Sequence, residues 1–251
     1  IHSSAFRRLK YKTQVFVHHE EDYFRTRLSH SLEVSQLSRS ISKVFNINDD
    51  LTESISLSHD LGHTPFGHAG EEVINKKMKG NGVFNHNYQA LKILTVLEKK
   101  YLDFDGLNLT FETLDGILKH NGPIKSVLPS YIQSFINFFG GEKKTQGSFE
   151  AQIAAICDDI AYNNNDIDDG LYAGLFEIEE LNELEIIKDA LKKINLKKSK
   201  EYRRIKYELI RKLINIMVDD LIRNTKQNIQ NFKIKNCYEI LELDKPLVVF
   251  G

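Results

Sequence analysis

Apolar residues between positions 26 and 45 recur with a helical period. Leu28, Leu32, Val34, Leu37, Ile41 and Val44 fall mainly on one stripe, which predicts an amphipathic helix over that stretch. Polar residues at 46–50 interrupt it, and Asp49 or Asp50 is placed to cap a second helix over 51–61. Gly62, Pro65, Gly67 and Gly70 then break the pattern, so a loop carries His63 and His68 just past the helix holding His59 and Asp60. Shorter helical patterns occupy 3–10, 71–78, 87–100 and 111–120, the last stopped by Asn-Gly-Pro. Residues 14–19 read as a short extended piece or loop, and 79–84 as a glycine-containing turn. Ser148 is placed to cap a helix running to about Tyr162, beyond which three asparagines weaken the pattern. Two lysine-rich amphipathic helices follow, over roughly 178–193 and 201–230, with polar loops at 140–147 and 197–200. The glycines of 140–147 make it the best candidate for mobility. No fixed-period repeat or clear domain boundary is present, so the expectation is an all-α helical bundle spanning 1–251 as one domain.

Composition narrows this picture only slightly. A chain of 251 residues, 41% hydrophobic and 27% charged, has ample core-forming material, and four prolines suit helices. A formal net charge of -1 gives no global pull toward nucleic acid or membrane, though it leaves room for a local basic pocket. Two cysteines cannot build a disulfide framework. Neither a membrane-length apolar run nor a secretory leader occurs, so the expected location is cytoplasmic, without membrane attachment. The chain starts at Ile1 in structured-looking sequence and stops at LDKPLVVFG, which reads as a piece of a longer protein.

The chemistry concentrates in three separate stretches. RTRLSHSLEV (25–34) places His30 inside a helix, SLSHDLGHTPFGHAGEE (56–72) places His59 and Asp60 at a helix end, and CDDIAYNNND (157–166) adds carboxylates on an alanine-rich helix. A lone buried histidine is usually a hydrogen-bonded core residue, and an HD dipeptide arises often by chance. The joint pattern is different: imidazoles and carboxylates from separate helices can enclose one divalent cation and so activate water. His30, His59, Asp60 and Asp158 are the expected ligands, with Asp159 second choice for the fourth. The neighbours in AQIAAICDDIAY are too apolar for a helix that merely faces solvent. Asp158, Tyr162 and Asp166 are spaced by four and four and share a face. Such a mixed nitrogen–oxygen set suits Mn2+, Fe2+, Mg2+ or Zn2+, and ligand type alone does not choose among them; Mn2+ or Mg2+ is the first expectation, with Co2+ also admitted. Cys-x-x-Cys and His-Glu-x-x-His are both absent, which removes structural zinc and zinc-protease readings.

These stretches, together with GLNLTFETLDGILKH (106–120), SFEAQIAAICDDIAYNNNDIDDG (148–170) and IHSSAFRRLKYKTQVF (1–16), resemble the bacterial dGTPase branch of the HD superfamily. That branch comprises the deoxynucleoside triphosphate triphosphohydrolases, and the resemblance runs to about Arg223. It implies an HD-domain helical bundle with a metal core over about 26–170 and C-terminal helices over about 178–235. It also implies hydrolysis of dGTP, or of another dNTP, to the deoxynucleoside and inorganic triphosphate. By motif position, His30, His59, Asp60 and Asp158 match the metal ligands. His68 and Glu71 match a catalytic pair in which Glu71 orients His68 for attack on the α-phosphorus. His63 and Arg27 match residues near the phosphates. Gln14, Tyr162 and Asp166 match residues that hold the sugar, and His86 matches a segment near the site more loosely. The family also implies a homo-oligomer, often a hexamer.

Two rivals remain at this level. One is another HD nucleotidase or phosphodiesterase. The other is a catalytically silent regulator that binds nucleotide or, weakly, single-stranded nucleic acid through Arg7, Arg8, Lys10, Lys12 and Lys143–Lys144.

Overall fold

A computed structural model describes residues 1–16, 23–124, 128–139, 145–195 and 201–251. The helix-rich pattern is borne out: eleven α-helices appear among the described residues, and the only extended pairing is two isolated bridges. In chain order they are α1 (Ser4–Arg8), α2 (Arg27–Phe45), α3 (Asp49–Ser58), α4 (Gly67–Lys77), α5 (His86–Lys92) and α6 (Phe111–Leu118). After these come α7 (Ser130–Phe139), α8 (Phe149–Tyr172), α9 (Glu185–Lys192), α10 (Tyr202–Asn231) and α11 (Cys237–Leu241). Residues 140–144 of the loop expected over 140–147, the loop expected at 197–200, the end of the extended piece at 17–19, and the Lys143–Lys144 pair lie outside the described residues.

Local chemistry explains where the central helices begin. The Thr26 side chain accepts from the Ser29 backbone, and Ser29 returns the bond, a reciprocal cap that starts α2 just before Arg27. Asn46 ends the helix in the left-handed conformation. Asn48, rather than Asp49 or Asp50, caps α3: its amide oxygen accepts from Leu51 N, while the two aspartates fill the first turn and face the helix dipole. Ser148 caps α8 as expected. That helix does not stop at the asparagines. Asn163 and Asn164 each turn the amide back to the carbonyl four residues earlier, both at 2.7 Å, and the helix continues to Tyr172.

Helices α2, α3 and α8 pack on one another and form the frame of the site. The α2–α3 seam is polar and small: Ser38 meets Ser56 at 2.8 Å and Ser42 meets Thr52 at 2.9 Å, all four fully buried. One apolar cluster joins Leu9, Ile55, Leu91, Leu94, Ile117 and Ile132 on one side of this frame. A second joins Val34, Ile41, Ile153, Ile160 and Leu221 on the other. Helix α10 lies against α8 and α9 and closes a third cluster around Leu171, Ile187, Leu209 and Leu213. No helix among the described residues is long and apolar enough to cross a membrane.

Three differences from the sequence expectation have physical causes. The helix expected over 87–100 begins one residue earlier and loosens into a π turn at Ile93–Leu97. Helix α4 starts at Gly67, before the expected 71, because Gly70 is tolerated within it. Helix α7 had no counterpart in the pattern reading, yet it buries Ile132 and Ile136 at helical spacing.

Candidate metal centre

The three chemical stretches converge. His30 Nε2, from the first turn of α2, lies 2.7 Å from Asp158 Oδ1 on α8. Past the end of α3 the chain tightens into a 3-10 turn, His59–Gly62, which brings His59 and Asp60 to the same point. His59 Nε2 stands 3.7 Å from Asp158 Oδ1 and 3.5 Å from Asp60 Oδ1. His59 Nδ1 donates to the Ser56 carbonyl at 2.6 Å. That bond fixes the ring and leaves Nε2 facing the cluster, the usual arrangement of a metal-binding imidazole. All four ligand candidates thus meet, and Asp159 points away into an exposed position.

Unpaired atoms mark the same place. His59 Nε2, Asp60 Oδ2, Arg27 Nε, His63 Nδ1, His120 Nδ1 and Gln14 Oε1 are buried polar atoms without a hydrogen-bond partner. Buried polar groups are rarely left so, and a gathering of orphans fits a cation and a polar ligand completing them. Charge is correspondingly perturbed. Burial opposes the His59 charge, but the Asp60 and Asp158 carboxylates outweigh it and lift His59 to about 9. Asp60 overcomes its own burial through His59 and Arg27 and is held far below the usual carboxylate range. Asp158 overcomes burial in the same way, through His59, His120 and His30. A divalent cation would take the place of the proton that His59 otherwise carries between two carboxylates.

Beside this cluster opens a cavity of about 370 Å³ lined by Gln14, Arg27, Asp60, His63, Phe66, His68, Asp158 and Tyr162. Arg27 Nη1 is held on Asp60 Oδ1 at 2.8 Å, and Gly67, in the left-handed conformation, makes room for the guanidinium; a Cβ there would lie 2.7 Å from Nη2. Gln14 arrives through the antiparallel bridge between Thr13 and Thr26. Burial, followed by the like charge of Arg27, pushes His63 down to about 2 despite Asp60, so its ring is neutral. His68 projects from the first turn of α4 with its side chain 75% exposed, and its Nδ1 is 3.6 Å from Glu71 Oε2. Tyr162 lines the cavity and hydrogen-bonds to Asp166 one turn on; burial raises both groups. Asp166 is therefore next to the cavity wall rather than part of it.

Four residues of the site were outside the expected set or only loosely within it. His120, at the end of α6, places Nε2 3.2 Å from Asp158 Oδ2 and stacks on His59 with 5.0 Å between ring centres. His86 accepts the closest approach of Glu71: Nδ1 donates to Glu71 Oε2 at 2.9 Å, and its backbone N–H donates to Oε1 at 3.3 Å. Asn165 donates to Glu33 at 2.8 Å and stands 3.5 Å from His30 Nδ1. Lys12 is the fourth. Its ammonium donates to the Leu61 and His63 carbonyls at 3.3 and 2.6 Å, so it pins the ligand-bearing loop and does not belong to an open basic surface. Sequence signals existed for His120, three residues past the buried Ile117, and for His86, just after the capping Asn85.

The HD-domain family model matches residues 27–163. The chain belongs to the HD-domain family. The match holds every proposed ligand of this HD centre, while Gln14 and Asp166 lie outside it. Curated relatives place the chain in the deoxyguanosinetriphosphate triphosphohydrolase-like group. The protein of that name from Parvibaculum lavamentivorans is 49% identical over the whole of this chain and 65% of its own length. Those of Paracoccus denitrificans and Rickettsia felis are 47% and 48% identical over the whole chain, and over 67% and 66% of theirs. The chain therefore spans about two thirds of the length of the curated relatives it matches.

Proposed function

We propose that this HD domain hydrolyses deoxynucleoside triphosphates, dGTP foremost, to the deoxynucleoside and inorganic triphosphate. The observation that carries the reading is the meeting of His30, His59, Asp60 and Asp158, with unpaired inward atoms, at the wall of a cavity flanked by Arg27, His63 and His68. The names of the relatives support the same substrate class.

His30, His59, Asp60 and Asp158 would hold a divalent cation, Mn2+ or Mg2+ foremost, which would supply Lewis-acid chemistry when bound. The remaining work falls to the chain. Arg27, already oriented by Asp60, offers its unpaired Nε and remaining guanidinium hydrogens to a phosphate oxygen. His63, neutral and buried, contributes a hydrogen bond without adding to the positive charge. His68 holds a water for in-line attack on the α-phosphorus and takes its proton; Glu71 stabilises the imidazolium that results. The bond from the α-phosphorus to the sugar 5′-oxygen breaks, that oxygen gains a proton, and the water oxygen leaves with the triphosphate. Tyr162, steadied by Asp166, packs under the sugar and excludes a 2′-hydroxyl, while Gln14 Oε1 accepts from the 3′-hydroxyl.

The test is incubation with dGTP, the other dNTPs and GTP in the presence of Mn2+ or Mg2+, with products identified. The expected products are deoxyguanosine and triphosphate, with label from 18O-water appearing in the triphosphate. Orthophosphate or pyrophosphate as the only inorganic product overturns the reading.

A further inference from the structure

Four side chains next to the HD centre form a second donor set. His63 follows the 3-10 turn, His68 and Glu71 share the first turns of α4, and His86 opens α5. One ligand atom from each lies within 4.8 Å of all the others. We infer that these four residues form a second, distinct metal site, selective for Zn2+-class cations, whose occupation blocks the catalytic pair.

Three observations carry this. The first is the geometry: His86 and His63 stack with ring centres 4.1 Å apart, and His68 meets both edge-on at 5.4 and 5.1 Å. Side-chain adjustments of about an ångström bring four such atoms to tetrahedral bonding distance around a metal at roughly 2.0–2.2 Å. The second is an orphan. His63 Nδ1 is buried and has no partner, although its other ring nitrogen faces Asp60 at 3.4 Å. The third is the donor chemistry. Three imidazoles and one carboxylate favour Zn2+ or Co2+, whereas Mg2+ demands oxygen ligands and six-coordination. The HD centre, with two imidazoles and two carboxylates, has no such bias. The two sites also touch, since Asp60 serves one and faces His63 of the other.

A cation at the second site takes the lone pair of His68, and the Glu71 carboxylate with it. Binding metal through Nδ1 moves the His86 proton to Nε2 and gives up the side-chain bond to Glu71 Oε2, while the His86 backbone bond to Glu71 Oε1 remains to orient the carboxylate. The blocking of catalysis rests on the function proposed above; the existence of the site does not.

Equilibrium dialysis of the metal-free protein against Zn2+, followed by metal analysis, decides the matter. Two equivalents are expected for the parent chain, and one for His68→Ala and for His86→Gln. His30→Ala should keep the equivalent that those two variants lose. Because His68 is mostly exposed, its replacement leaves the fold intact. Co2+ adds a signature: the second equivalent should bring the intense visible absorption of four-coordinate cobalt, absent in His68→Ala. A single equivalent in the parent, or a second that survives in both His68→Ala and His86→Gln, overturns the site. With the stoichiometry established, dGTP turnover supported by Mg2+ should fall at least tenfold as the second Zn2+ equivalent binds. Turnover unchanged at full second-site occupancy overturns the blocking role, whereas no turnover under any condition refutes the proposed function and leaves the stoichiometry standing.

Discussion

Glu71 lies closer to His86 than to His68: 2.9 Å separates its Oε2 from His86 Nδ1, against 3.6 Å to His68 Nδ1. The carboxylate is thus anchored on its buried side by α5 and reaches the exposed imidazole from a fixed position. His86→Ala should lower kcat, by about tenfold or more, with little change in substrate KM, because in the proposed mechanism the anchored carboxylate supports His68 as the base. Glu71→Gln should cost more, about 10²–10⁴-fold. Steady-state kinetics on the two variants checks both, and an unchanged kcat in His86→Ala removes the anchoring role.

His120 occupies the second oxygen of Asp158 and leaves the first for the His30 side. Outer partners of this kind typically contribute about 10–100-fold to metal affinity. His120→Leu should weaken metal binding by that factor, and His120→Gln, which restores a donor, should recover part of it. Calorimetric metal titration distinguishes these outcomes; equal affinity in all three proteins would rule the contribution out.

Lys206 on α10 is buried under Tyr23, Tyr172 and Tyr207 and reaches Asp168 Oδ1 at 2.9 Å, while Arg25 holds the other oxygen at the same distance. Removing one partner of a buried pair costs about 3–5 kcal/mol, and Arg25 remaining in place puts Lys206→Met near the lower end. Burial opposes the Asp168 charge, yet Lys206 and Arg25 outweigh it and depress its pKa. A depressed carboxylate stabilises the fold above its unfolded value of about 3.9 and loses that contribution as pH falls through the folded value. Urea midpoints of wild type and Asp168→Asn should therefore differ most at neutral pH and converge in acid. A constant gap would contradict the sign.

Lys12 joins the first segment of the chain to the loop that follows Asp60. Burial, then the nearby Arg27, lowers its pKa. Lys12→Met leaves two carbonyls without their donor, a loss of about 1–3 kcal/mol. The thermal midpoint should drop by a few degrees, and metal affinity should fall alongside because His59 and Asp60 lose their backing. A variant with lowered stability but full metal affinity would confine Lys12 to the fold.

Much of this arrangement was readable before any coordinates. The apolar stripe of α2 and the alanine-rich face of α8 announced helices, and the dense His and Asp placement pointed to the side chains that the fold brings together. The Asp158, Tyr162 and Asp166 face follows from helical spacing alone. What escaped depends on approach in space. Nothing local to His86 says that α5 will lie against the 3-10 turn. It does so because Gly62 lacks a Cβ, which would collide with the His86 carbonyl oxygen and the Ala90 nitrogen. His120 and Asn165 acquire meaning only when α6 and α8 bring them to Asp158 and His30. Lys12 misled for the converse reason, since composition cannot show that a lysine's partners are backbone carbonyls. The asparagines of α8 misled because their helix-breaking tendency is cancelled by bonds to their own helix.

Helix α8 carries Asp158 at one point and the Asp168–Asp169 clasp on Arg25 further along, with no break between them. Inserting a single residue in that interval would rotate one part about 100° against the other and shift it about 1.5 Å. Either the cation would lose a carboxylate or the ionic clasp would come apart. The interval between them acts as a fixed ruler.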